Sequence, residues 1–173
     1  IMSKKLALGA GTLVLDVKWG SGAFRKTVDE AAELAAALRD VAVATGVRCD
    51  ALITDMNQPL GPALGTACEV RQAIAVLDGE GDPRLRDVTL ALCRQAMVSC
   101  GFDAEESTGR LQRALRDGSA SAAWERMVTA HGGDPDPERL AVPSAELEVA
   151  ADRGGFVSDS DAEGVRRVAW AVR

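Results

Sequence analysis

The sequence predicts an α/β fold: a mixed sheet containing a parallel β-α-β unit, flanked by helices. Three observations predict it. Thr12-Leu13-Val14-Leu15 is a continuous apolar run rich in β-formers, as a buried strand is. A helical pattern follows, and Ala51-Leu52-Ile53-Thr54 then repeats the strand signature. Strand, helix and strand in that order require parallel strands joined by a right-handed crossover.

Taken in order, Ile1-Met2-Ser3-Lys4-Lys5-Leu6 reads as part of a helix. Beyond the first strand, Asp16 to Phe24 reads as a loop in which Gly20, Ser21 and Gly22 permit a tight turn and close backbone approach. Thr27 and Glu30 stand at capping-box spacing, so a helix begins there. A strand, a small-residue loop and a helix N-terminus form a place where backbone N–H groups could hold an anion. Leu34, Leu38 and Val41 recur at helical spacing, and Thr45-Gly46 supplies the stop. Asp55 to Pro62 forms the loop at the carboxyl end of the second strand, the edge where ligands sit in open α/β sheets.

The middle of the chain reads as helical. Val70, Ile74 and Leu77 mark one helix, stopped near Gly79. Asp82-Pro83 starts another, with Leu85, Val88 and Leu92 inward. Leu111 and Leu115 mark a third, ending at Gly118, and Ser119 caps a short one through Trp124 and Val128. His131 to Pro137 breaks the pattern with Gly, Asp and Pro, a composition that suits a linker. Glu146 to Val149 and Gly155 to Val157 read as short strands, and a last helix runs from about Asp161. A first residue other than Met and a close at Val172-Arg173 in mid-helix pattern predict a piece of a longer protein.

Composition narrows the function classes. With 173 residues, 47% of them hydrophobic and 27% charged, the chain can bury one sizeable core. A formal net charge of −6 argues against nucleic-acid backbone as the main partner. No apolar run approaches the roughly 20 residues that span a bilayer, and no signal-peptide pattern opens the chain. Cys49, Cys68, Cys93 and Cys100 show no C-x-x-C spacing and no histidine cluster, which argues against zinc. They predict reduced, mostly buried thiols in a cytoplasmic protein.

Each candidate for chemistry has a plainer reading beside it. Ser21 and Gly22 read first as a turn. Asp55 could act as an acid or base, but an aspartate at a strand end more often stabilises its loop. His131, the sole histidine, has no visible partner and reads as a surface group. Lys4, taken alone, is a solvated helix lysine beside Lys5.

A resemblance gives several of these residues a second meaning. Lys4-Lys5-Leu6-Ala7, Asp16-Val17-Lys18-x-Gly20-Ser21-Gly22-Ala23-Phe24 and Leu52 through Gly61 resemble the thymidine and pyrimidine-nucleoside phosphorylases. Cys68-Glu69-Val70-Arg71-x-Ala73-Ile74, Asp82-Pro83-Arg84-Leu85 and Gly132-Gly133-Asp134-Pro135 follow in the family's order, so the resemblance covers nearly the whole chain. It implies residues 1–9 as the end of a helical domain, 10–140 as α/β domain and 141–173 as the incomplete start of a C-terminal subdomain. The implied activity is phosphorolysis: phosphate attacks the anomeric carbon of a pyrimidine nucleoside, releasing free base and pentose 1-phosphate.

Such a reaction passes through an oxocarbenium-like state while negative charge builds on the departing base, so donors aimed at the base oxygens stabilise it. The resemblance assigns Lys4 to the base, and places the other base contacts and the phosphate loops upstream of Ile1. The 173 residues alone are therefore expected to be inactive. It also implies a potassium ion held partly by upstream backbone oxygens and otherwise by the main-chain carbonyls of Leu60 and Ala63 and the side chain of Gln72, where the family has a glutamate. Gln72 keeps an oxygen and loses the charge, so binding should be weaker or lost, with Glu69 one turn earlier as a substitute. The family's other implied features are phosphate as co-substrate, no organic cofactor, no nucleic-acid or membrane partner, and homodimers. Trp19 and Arg25 stand where small aliphatic residues and methionine are usual. Two alternatives remain: a degenerate non-catalytic homologue or binding module, and a phosphoribosyltransferase related by fold.

Overall fold

The computed structural model describes residues 2–171, so the readings made at Ile1, Val172 and Arg173 lie outside the described residues. Helix α1 (Met2–Leu6) leads into strand β1 (Thr12–Trp19), helix α2 (Val28–Ala44) and strand β2 (Arg48–Asp55). The two strands pair in parallel, from Thr12 opposite Arg48 to Trp19 opposite Asp55. The β-α-β unit is therefore formed, and both strands exceed their apolar runs. Asp16 to Trp19, which read as loop, belongs to β1. Alternation explains the difference: Val17 and Trp19 face the same layer as Leu13 and Leu15, so Asp16 and Lys18 fall on the other side.

Helix α2 starts as its sequence predicts. The Thr27 side chain accepts from the Glu30 N–H and the Glu30 carboxylate accepts from the Thr27 N–H, a reciprocal capping box. Its buried stripe is alanine rather than leucine. Ala31, Ala35 and Ala42 are buried, Leu34 and Leu38 pack partly against the sheet, and Val41 is 45% exposed, so Val41 does not mark the inner face. Small residues on the inner stripe let α2 lie close to β1 and β2. One core cluster joins Ala31 and Ala35 to Val17, Leu15 and Trp19; another joins Ala42 to Met2 and Cys49.

Helix α3 (Thr66–Leu77), α4 (Pro83–Ser99), α5 (Ala104–Arg116) and α6 (Ser119–Ala130) follow. Asp82 caps α4, its carboxylate accepting from the Arg84 and Leu85 N–H groups at 2.9 and 3.0 Å. Helix α4 packs on both strands. It is pinned at its end by Ser99, whose hydroxyl donates to the Asp50 carboxylate and whose carbonyl accepts from Arg48. Ser119 is the first residue of α6 and not its cap. Gly118, at φ 75°, holds the cap position, while the Asp117 carboxylate accepts from the Ser119 N–H.

A 3₁₀ turn (Pro137–Arg139) and helix α7 (Ala162–Ala171) complete the described elements. The strands read at Glu146 to Val149 and Gly155 to Val157 do not form; both stretches lack regular structure and are exposed. A strand is completed by hydrogen bonds to a neighbour, and β1 pairs only with β2 among the described strands. Two of the four thiols also depart from expectation. All four are free, with Cys49 buried and Cys68 half-buried, but Cys93 and Cys100 are exposed. No described helix is long and apolar enough to cross a membrane.

Candidate functional site

The carboxyl ends of β1 and β2 carry two loops that hold each other by backbone. Met56 N–H donates to the Trp19 carbonyl at 2.7 Å, and Gly22 N–H donates to the Met56 carbonyl at 3.0 Å. The Ser21 N–H donates to Asn57 Oδ1 and the Ser21 hydroxyl to the Asn57 carbonyl, each at 3.0 Å. Gly20 N–H is taken by the Arg25 carbonyl and Ala23 N–H by the Gly20 carbonyl. The four N–H groups from Gly20 to Ala23 are thus all engaged internally. None is left to cradle an anion, so the turn is scaffold, the plainer of its two readings.

Gly20 is required there. Its φ is 119°, and a Cβ on it would stand 2.7 Å from the Asn57 nitrogen. Asp55 serves the same junction, its Oδ1 accepting from the Asn57 N–H at 2.9 Å and from the Asn57 side-chain amide at 2.6 Å. Trp19 packs with Val17, Ala31 and Ala35, covering the end of the sheet. His131 is exposed at the end of α6, with Nδ1 2.8 Å from the Met127 carbonyl.

Beside this junction lies a cavity of about 510 Å³. Its floor is the 59–64 loop, one wall is α3 and another is α7, with Gly22 and Met56 closing the end. Leu60, Ala63 and Gln72, far apart in their roles along the sequence, all line it, and so does Glu69. Its walls are otherwise mostly apolar, the usual constitution of a small-ligand site with a few convergent polar groups.

Glu69 Oε1 accepts from the Gly65 N–H at 3.0 Å, tying the first turn of α3 to the loop before it. Arg84 donates to the Pro59 carbonyl at 3.4 Å and so steadies the loop from α4. Helix α7 reaches the cavity because its first turn docks on the Ser21–Gly22 turn. Ser21 Oγ lies 3.4 Å from both the Ser160 carbonyl and the Ala162 N–H, and a Cβ on Gly22 would meet the Ala162 methyl at 2.9 Å.

As a potassium site these residues fit in donor type and not in charge. Carbonyl and amide oxygens suit a hard monovalent ion. The one carboxylate lining the cavity, Glu69, is offset by the one guanidinium, Arg166, and Gln72 adds nothing. Arg166 escaped the sequence reading. The usable signal was its i+4 spacing from Ala162, which puts both on one face of α7, but only the docked fold shows which face that is.

Lys4 is exposed on α1 and does not line this cavity. Its neighbour Lys5 lines a second, more open cavity of about 720 Å³ along β1, with Asp16, Lys18 and Arg25. Lys18 Nζ sits 2.7 Å from Asp16 Oδ2 and donates to Thr54 Oγ1 at 2.8 Å, and the Thr54 hydroxyl donates in turn to Asp16. The sequence reading missed this closed triad. Asp16 and Lys18 share a face by alternation, but Thr54 joins them only through the register that sets it opposite Lys18.

Thiol chemistry finds no support. Burial, with Asp50 beside it, pushes the Cys49 thiol up, and partial desolvation pushes up that of Cys93 although the residue as a whole is exposed, which favours the protonated thiol in both. Among the described residues no three His, Cys, Asp or Glu side chains gather to hold a metal ion.

Comparison with known proteins bears on the whole chain. The family model for the glycosyl transferase family, a/b domain, matches residues 1–121. Two curated relatives are thymidine phosphorylases of Mycobacterium tuberculosis, from strain CDC 1551 / Oshkosh and strain ATCC 25618 / H37Rv. Each is 42% identical over 172 residues, which is 99% of this chain and 39% of the relative. The chain therefore spans about two fifths of the length of these relatives.

Proposed function

The chain belongs to the thymidine phosphorylase group of the glycosyl transferase family, and on that premise we propose that the intact protein carries out reversible phosphorolysis of a pyrimidine nucleoside. The observation that carries this reading is the 42% identity running through 172 residues, β1, the interlocked loops and the cavity included. Thymidine or uridine, with inorganic phosphate as second substrate, gives free base and pentose 1-phosphate. The protein works as a homodimer in the cytoplasm, without an organic cofactor.

In this reading Lys4 donates to a base oxygen. A permanent positive charge there stabilises the negative charge that accumulates on the pyrimidine as the glycosidic bond breaks. The junction of Gly20 to Ala23 with Met56 and Asn57 positions and does not react, because its donors are already satisfied within the protein. The oxygens at Leu60, Ala63 and Gln72 bind potassium more weakly than the family's glutamate-containing set or not at all, since the amide brings no charge to the ion. The phosphate-binding and remaining base-binding groups lie outside these 173 residues.

The test is direct. Incubated with thymidine and phosphate, the intact protein should release thymine in proportion to phosphate, and the 173-residue chain should release none. Turnover by the chain alone would overturn the division of the site between this chain and the rest. Absence of turnover by the intact protein, with thymidine or uridine, would favour the second reading, a homologue without catalysis, which Gln72 in place of an acid supports. In that case Lys4→Ala would leave nucleoside binding unchanged.

A further inference from the structure

Three side chains decide the charge of the cavity beside the sheet: Glu69, Gln72 and Arg166. The Glu69 carboxylate is already shared with the Gly65 N–H at 3.0 Å. Gln72 is neutral. Arg166 is an exposed residue of α7 that lines the cavity one turn beyond Ala162, which is buried at 7% exposure against Gly22. Arg167, next to it, pairs with Glu163 at 3.0 Å, whereas the Arg166 side chain has no ion pair or hydrogen bond among the described residues.

We propose that Arg166 supplies from within the chain the positive charge that this cavity would otherwise take from a monovalent cation, making the site indifferent to potassium. The inference rests on reading Leu60, Ala63 and Gln72 as the cation-ligand positions, and not on the catalytic activity. A potassium ion gains from a net negative ligand set. One carboxylate and one guanidinium sum to zero, so the ion would meet a like charge at the rim with no surplus of negative charge to hold it. A guanidinium stays charged at any physiological pH and carries five donors with no acceptor, the complement of a set of carbonyl and amide oxygens. Losing the acid at 72 and presenting an arginine at 166 change the cavity in the same direction. Either change alone would leave it out of balance by a unit charge.

The experiment uses the intact protein and its Q72E, R166M and double variants, with R166K as the charge-conserving control. Each is titrated with potassium chloride against choline chloride at constant ionic strength. Bound potassium is read by equilibrium dialysis and the unfolding midpoint by circular dichroism. The unaltered protein and R166K should show neither bound potassium nor a potassium-specific shift in midpoint. The double variant should take up potassium roughly tenfold or more tightly than Q72E, the size expected from removing one nearby like charge.

Stoichiometric potassium on the unaltered protein would overturn the proposal. So would equal affinity in Q72E and the double variant, or no potassium in the double variant. Should Q72E disturb folding, R166M against R166K answers the same question, because only the loss of charge should admit the ion. Phosphorolysis is not measured, so the outcome is independent of whether the intact protein turns over nucleosides.

Discussion

Leu15 and Leu147 both stand in stretches whose sequence reads as strand, and the protein treats them in opposite ways. Leu15 packs between the two core clusters of the β-α-β unit. Leu147 is 86% exposed in the segment before α7, where Val149, Phe156 and Val157 are also exposed. The first region has a partner for every layer: β2 beside β1, the alanine stripe of α2 on one face, and α4 pinned through Ser99 and Asp50. The second is held near its ends. Arg71 donates to the carbonyls of Leu140 and Ala141 at 2.7 and 3.0 Å, and Ser21 meets Ser160. β-Propensity describes fitness for a pleated, half-buried surface, and without that surface it produces no strand.

The contrast can be broken by substitution, and the largest effect is expected at the loop junction of the first region. Gly20→Ala puts a methyl against the Asn57 backbone at a positive φ and should cost about 3 kcal/mol. Urea unfolding of the variant would measure it, and a loss below a few tenths would mean the junction is not rigid. Next comes Thr27→Ala, which removes the capping box of α2 and should cost about 1 kcal/mol in the same assay.

Asp103, which caps α5, gives a smaller, pH-dependent effect. The N–H groups of Glu106 and Glu105 hold its carboxyl below the usual 3.8. A folded value below the unfolded one means the contribution is full above pH 3.8 and lost as pH falls through the folded value. Asp103→Asn should therefore lie below the unaltered chain in stability at neutral pH, and the gap should narrow in acid. A constant gap across a pH series would show that the charge plays no part.

The smallest effect belongs to the second region. Phe156→Ser should change stability by no more than about 0.5 kcal/mol, because the ring buries nothing, and limited proteolysis should cut residues 142–159 first. A marked loss in that variant would mean the segment is packed in solution.

Much of the fold was legible in the sequence, because the strongest signals are local. Thr27 with Glu30, Asp82 with Pro83, and Thr45 with Gly46 each set a helix boundary by chemistry between near neighbours. What escaped depends on partners distant in the chain. Apolar continuity stopped β1 at Leu15, though pairing carries it to Trp19. Val41 looked inward by spacing, while Ala42 occupies the inner stripe. At the site, the motif around Leu60, Ala63 and Gln72 led to residues that do share one cavity. Arg166 could not be found that way, since only the docking of α7 on Ser21 and Gly22 brings it there.

That docking also orders events in time. The contact between Ser21 and Ser160 closes an arc of 139 residues, and its companion to Ala162 one of 141. Arg71, by gripping Leu140 across 69 residues, gathers about half of that arc in advance. Closure entropy rises only with the logarithm of length, but it must be met before the contacts form. The β-α-β unit should accordingly assemble first, the Arg71 grip second and α7 last. In pulse-labelled hydrogen exchange the Val165 amide should become protected after those of β1 and β2, and Arg71→Met should lengthen that delay. Of the cavity's two helical walls, the one carrying Arg166 is then the last to arrive, so every folding molecule passes through a stage in which the oxygens at 60, 63 and 72 face water without it.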